Sequence, residues 1–139
     1  MAKLTKSLEV EQVVRKYLED KGCSISSYKR KGETGPDIKA TRGKYTWFVE
    51  AIGFEEHPWI RSREFYEAFF RVISRDTNSS NETLVLALPR RFKDGMRQRT
   101  RNYPVAWAKL GRTFSNLRIW YVDTEEGTVE EYQWATPFD

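Results

Sequence analysis

Apolar positions along this chain recur with two different periods, and the switches between them outline its elements. Val10, Val13, Val14, Tyr17 and Leu18 return at intervals of three and four, which predicts a helix with one apolar stripe. Ser7 reads as its N-cap, Glu9 and Glu11 lie in its first turn, and Gly22 is its stop. Residues 23–28 predict a strand with Ile25 inward. Beyond Gly35-Pro36, Asp37-Ile38-Lys39-Ala40 alternates polar and apolar in the manner of a half-buried strand. Arg42-Gly43-Lys44 supplies a tight turn, and residues 45–52 are an aromatic and β-branched run suited to a buried strand. These three strands predict a meander.

The second half alternates helix and strand. Residues 54–60 read as a loop, followed by a helix over residues 62–74 that buries Phe65, Ala68, Phe69, Val72 and Ile73. Residues 84–88 are continuously apolar, which predicts a fully buried strand, parallel to its neighbour through a helical crossover. The basic residues 90–101 predict a helix with Phe92 and Met96 inward. Pro104 opens a shorter one with Val105, Trp107, Ala108 and Leu110 packing and Gly111 ending it. Residues 117–122 and 128–133 are the last predicted strands. The sum is a single α/β domain over residues 1–139, a central mixed sheet flanked by helices.

Composition narrows the class. With 39% hydrophobic and 32% charged residues, the chain reads as a soluble protein with a heavily charged surface. No apolar run approaches the roughly 20 residues of a membrane span. Residues 1–6 are basic without an apolar core behind them, so no secretory signal is expected. The single cysteine, Cys23, forms no internal disulfide, and a cytoplasmic location is the default. The one histidine, His57, falls in a predicted loop, which gives no support to a zinc site or a Cys/His nucleophile.

The net charge of +4 is distributed unevenly. Arg90, Arg91, Lys93, Arg97, Arg99, Arg101, Lys109 and Arg112 meet one acid, Asp94, whereas residues 123–139 carry six acids and no Lys or Arg. One reading is a face that meets a polyanion and another that does not; the other is ordinary solvation. Lys29, Arg30 and Lys31 add three positive charges just ahead of Asp37. Tyr103 and Trp107, beyond the arginines, are candidates to stack on unpaired bases, although residues at such spacing more often belong to a core.

One charge, Glu50, interrupts the apolar run of residues 45–52. A carboxylate inside a core strand costs several kcal/mol of desolvation unless it meets a cation, a metal or donors. The short turn predicts Asp37 beside Glu50, and two such carboxylates suit a divalent metal with oxygen ligands. Gly35-Pro36-Asp37-Ile38 followed by Phe48-Val49-Glu50-Ala51-Ile52-Gly53 resembles the signature of the PD-(D/E)xK nuclease superfamily, the restriction-endonuclease-like fold. The resemblance implies Mg²⁺ or Mn²⁺ on Asp37 and Glu50, helped by the Ala51 carbonyl. It also implies a polar residue of the second helix at the site, where Arg71 stands, and an acid of the first helix, for which Glu9 and Glu11 are candidates. The motif lysine is absent, since Ile52 occupies its position. Lys39 shares a strand face with Asp37 and is the expected substitute in catalysis, with Arg71 a second candidate that can stabilise charge but is a poor base. The implied partner is nucleic acid, DNA first, with Lys29, Arg30, Lys31, Arg71, Arg90, Arg91, Lys93, Arg97, Arg99 and Arg101 as its contacts and a homodimer as one arrangement. Two functions stand open: a metal-dependent nuclease with a rearranged site, or a non-catalytic binding or interaction module on a nuclease fold.

Overall fold

The computed structural model describes residues 5–138, so residues 1–4, with most of the basic start, and Asp139 of the acidic stretch lie outside the described residues. The elements are α1 (Ser7–Asp20), β1 (Ser24–Ile25), β2 (Ile38–Arg42), β3 (Tyr45–Ala51), α2 (Pro58–Ile73), β4 (Glu82–Pro89), α3 (Phe92–Asn102), α4 (Pro104–Thr113), β5 (Leu117–Asp123) and β6 (Thr128–Gln133). All six strands join one mixed sheet in the order β1-β2-β3-β4-β5-β6. The meander β1-β2-β3 is antiparallel, β3, β4 and β5 are parallel, and β6 returns antiparallel on β5. The expected α/β architecture is the observed one.

Strand alternation divides the core into two layers. Ile38, Ala40, Val49, Ala51, Val85, Ala87, Trp120 and Val122 face α1, whose Val10, Val14 and Leu18 are fully buried against them. Leu84, Leu86, Leu88, Ile119 and Tyr121 face the other way and are covered by α2, α3 and α4 through Phe65, Ala68, Val72, Phe92, Met96 and Trp107. On this second face Trp107 and Trp134 stack with centroids 3.9 Å apart, and each indole N–H donates to the other residue's carbonyl, at 2.6 and 3.1 Å. Trp107 is therefore core, not a stacking platform for bases.

Several boundaries differ from expectation for local reasons. Lys6, not Ser7, is the N-cap of α1, and its N–H donates to the Glu9 carboxylate at 3.3 Å. The far end of α1 closes with Gly22 N–H on Glu19 and Cys23 N–H on Leu18, so Gly22 does end the helix. β1 is shorter than residues 23–28 because the Ser26 carbonyl is taken by the buried Arg15 guanidinium and the Ser26 hydroxyl accepts the Lys39 N–H. α2 starts a turn early, since Pro58 with its fixed φ opens the helix and places residues 58–60 within it. In α4, Val105 and Ala108 are exposed, and Gly111 lies inside the helix because Trp134 and Ala135 pack against it.

Gly53 marks a close crossing of backbones at the end of β3. Phe54 N–H donates to the Thr5 carbonyl at 2.7 Å, and a Cβ on residue 53 would stand 2.3 Å from that same oxygen. This oxygen, and the Ser7 nitrogen and Lys6 carbonyl carbon beside it, are backbone and cannot step aside as a side chain can. Gly53→Ala is expected to destabilise the fold by about 1–3 kcal/mol in urea unfolding. An unchanged midpoint would show that residues 5–7 do not lie against this strand.

Candidate acid–cation site on the central strands

Asp37 and Glu50 meet because of strand register. Ile38 pairs with Val49, so the next residues outward, Asp37 and Glu50, stand opposite one another. Val49 and Ala51 point to the α1 face, which leaves Asp37, Lys39, Glu50 and Ile52 on the α2 face. Gly35-Pro36 has taken the chain out of the ladder there, and the Asp37 side chain completes it: Oδ2 accepts the Ala51 N–H at 2.9 Å. What Ala51 contributes to the cluster is thus its N–H.

Glu50 is 1% exposed, and its charge is met from α2 and the turn that ends it. Arg75 approaches Oε1 at 3.4 Å and Arg71 approaches Oε2 at 3.6 Å, while Arg71 also reaches Glu67 at 3.9 Å. Lys29 lies 3.1 Å from Asp37 Oδ1 and also donates to the Gly35 carbonyl at 2.9 Å. Behind the site Glu11 holds Arg15 at 2.8 Å, and Arg15 donates to the Asp37 carbonyl at 3.1 Å. Glu11 therefore acts on the opposite side of the sheet, fixing the backbone of Asp37 through Arg15, and Glu9 serves at the start of α1.

The expected site residues are thus partly gathered. Asp37, Glu50, Ala51, Arg71 and Lys29 come together. Lys39 shares their face, but its ammonium stands over the Phe48 ring at 5.9 Å, one strand pair away, and Lys29 takes the place against Asp37. Ile52, at the position of the motif lysine, is buried in the α2-side core. Two contributors were missed in the sequence. Arg75 sits four residues beyond Arg71, a helical spacing that could have suggested it. Arg15 breaks the apolar stripe of α1 beside Val14, and only its burial reveals its task.

The basic stretch does not form one face. Arg90 pairs with Glu130 at 3.3 Å and Asp123 at 3.8 Å, and Lys93 pairs with Glu130 at 2.7 Å. The acidic C-terminal hairpin is thus a counter-ion for those two residues, contrary to the expected segregation of charge. Arg97 pairs with Asp94 at 3.2 Å, Arg99 donates to the Ser62 hydroxyl at 3.1 Å, and Arg91 stands 4.1 Å over Phe54. Arg101 is exposed on the last turn of α3, and Lys31 and Arg30 are exposed in the loop before β2, with Arg30 4.0 Å from Glu33. Among the described residues no group of three His, Cys, Asp or Glu side chains is placed to hold a metal, and no helix is long and apolar enough to cross a membrane. Comparison with family models, curated proteins and solved structures finds no match for this chain.

Burial raises the Glu50 carboxyl from its ordinary value of 4.5 to about 7; the Asp37 charge adds to the rise, and Arg71, Lys29 and Arg75 oppose it. The folded chain therefore binds this proton more tightly than the unfolded chain does. Its contribution to stability is present in acid, falls as pH rises from 4.5 to about 7, and is level above that. Glu50→Gln removes the titration, so its unfolding free energy is expected to lose this slope, by up to about 1.4 kcal/mol per pH unit. Equal slopes for both proteins in urea melts across that window would exclude Glu50 as the group responsible.

Proposed function

We propose that this chain is a nucleic-acid-binding protein on a PD-(D/E)xK-like scaffold whose acid pair serves as a structural ion-pair cluster. One observation carries the reading: each of the four carboxylate oxygens of Asp37 and Glu50 faces a donor or cation of the protein itself, namely Lys29, the Ala51 N–H, Arg75 and Arg71. The oxygens suit Mg²⁺ or Mn²⁺ in type, but a dication placed there would stand among three protein cations. Ile52 adds no ammonium at the motif position. The exposed Lys31, Arg30 and Arg101 remain on the surface for phosphate contact.

A second reading rests on Lys29. Its ammonium touches Asp37, its side chain is 31% exposed, and that of Arg71 is 47% exposed. In that reading Asp37 and Glu50 hold a metal, and Lys29, in place of Lys39, orients the water. A bound dication would activate that water and stabilise the charge developing on phosphorus.

The test titrates labelled DNA and RNA at several salt concentrations, then incubates them with Mg²⁺ or Mn²⁺. Binding that weakens steeply with salt, no cleavage, and nearly unchanged affinity in Asp37→Asn and Glu50→Gln are expected. Absence of binding to either polymer at low salt would overturn the reading. Metal-dependent cleavage that is abolished in Asp37→Asn and reduced by on the order of 10²–10³ in Lys29→Ala would establish the nuclease instead.

A further inference from the structure

Beyond the C-terminal ends of β3 and β4 the chain opens a cavity of about 620 Å³, the size of an ordinary small-ligand site. The ends of parallel strands are where open α/β sheets take their ligands. The segments after β3 and β4, the first half of α2 and the length of α3 as far as Tyr103 form its walls. Arg61, Arg91 and Arg99 line it, and the one acid among its lining residues, Asp94, is paired with Arg97. The guanidiniums are held by rings. Phe54 lies between Arg61 and Arg91, at 4.2 and 4.1 Å, and Arg99 stands 4.7 Å over Phe65. Arg61 donates one terminal nitrogen to the Glu55 carbonyl and Arg99 one to the Ser62 hydroxyl, and a guanidinium has five N–H donors in all.

The cavity does not end at the arginines. Tyr66 and Tyr103 line it on one side and also line an adjoining apolar depression of about 260 Å³ with Phe69, Trp107 and Trp134. Both tyrosines are roughly half exposed. The ligand chemistry that matches this sequence of surfaces is an anion joined to a flat, partly apolar ring. A phosphate suits planar guanidinium donors, and a nucleobase suits tyrosine faces. In a duplex the bases are stacked on one another, and no face is free for a side chain.

We propose that this cavity is a binding site for an unpaired nucleotide of a single-stranded nucleic acid, with its phosphate on Arg61, Arg91 and Arg99 and its base against Tyr66 and Tyr103. The inference rests on the nucleic-acid reading above and adds a site and a strand form to it. It is separate from the acid pair, which lies on the sheet face before Gly53.

The experiment measures fluorescence anisotropy of a labelled oligothymidylate strand and of a duplex of the same length, each over a range of salt. Preference for the single strand is expected. Tyr103→Ala should weaken single-strand binding about tenfold without changing its salt dependence, and Tyr103→Phe should retain it. The double variant Arg61→Ala/Arg91→Ala should lower the salt slope by roughly 1.4. Circular dichroism of each variant identifies any that fail to fold, and Arg91→Lys keeps the charge where the double variant is unstable. Tight binding to the duplex with Tyr103→Ala indistinguishable from the native chain would overturn the site while leaving the nucleic-acid reading in place. No binding to either probe at low salt would overturn both.

Discussion

A carboxylate held out of water on the central sheet is the constraint around which this structure is arranged. Glu50 lies on β3, a strand paired on both sides and covered by helices on both faces. Its charge cannot be hydrated, so it must be balanced from within or protonated. α2 answers with Arg71 and the turn just beyond it with Arg75, so that both reach one carboxylate, and the loop before β2 answers with Lys29 beside Asp37. The second acid is also a structural part. It takes the Ala51 N–H that the departing chain would otherwise leave open, and its own backbone is anchored from behind by Arg15. A cluster of this kind is a weak source of net stability, but it fixes which residues may stand next to which.

The same balancing recurs at the other edge of the sheet. Asp123 at the end of β5 and Glu130 and Glu131 of β6 do not make an independent negative face. Glu130 and Asp123 receive Arg90 and Lys93, and Glu131 receives Lys21 and the Tyr17 hydroxyl. The basic stretch is thus split by the fold: its first residues are bound to the hairpin, while Arg91 and Arg99 turn toward the end of the parallel strands. Linear charge runs overstate the positive surface, because strand pairing brings distant segments of opposite sign together.

The elements whose periodicity is strong were legible in the sequence. The stripe of α1, the apolar β4 and the hairpin at Gly43, which adopts a positive φ of 59°, all stand where the pattern puts them. Misplaced boundaries lie where a non-local partner decides. The Ser26 N–H still donates to the Lys39 carbonyl, but β1 goes no further because Arg15 captures the Ser26 carbonyl, and α4 continues through Gly111, against which Trp134 packs. The candidate site was legible to the extent that it depends on register. Asp37 and Glu50 face each other because a two-residue turn and alternation require it. Which lysine reaches Asp37 depends on a loop path that no periodicity encodes, so Lys29 stands where Lys39 was expected.

Strand order that follows chain order has a consequence for biosynthesis. Each strand pairs with the one made just before it, so the sheet can grow outward from the meander as the chain leaves the ribosome, at roughly 5–20 residues per second. The first helix does not follow this order. Its apolar stripe lies across strands from β1 to β6, and Tyr17 meets Trp120 edge-on at 5.4 Å. A nascent chain therefore carries α1 with only the meander to cover it until β4 emerges, and its cover is incomplete until β5 and β6 follow. That uncovered stripe is apolar surface of the kind that leaves an unfinished chain open to aggregation.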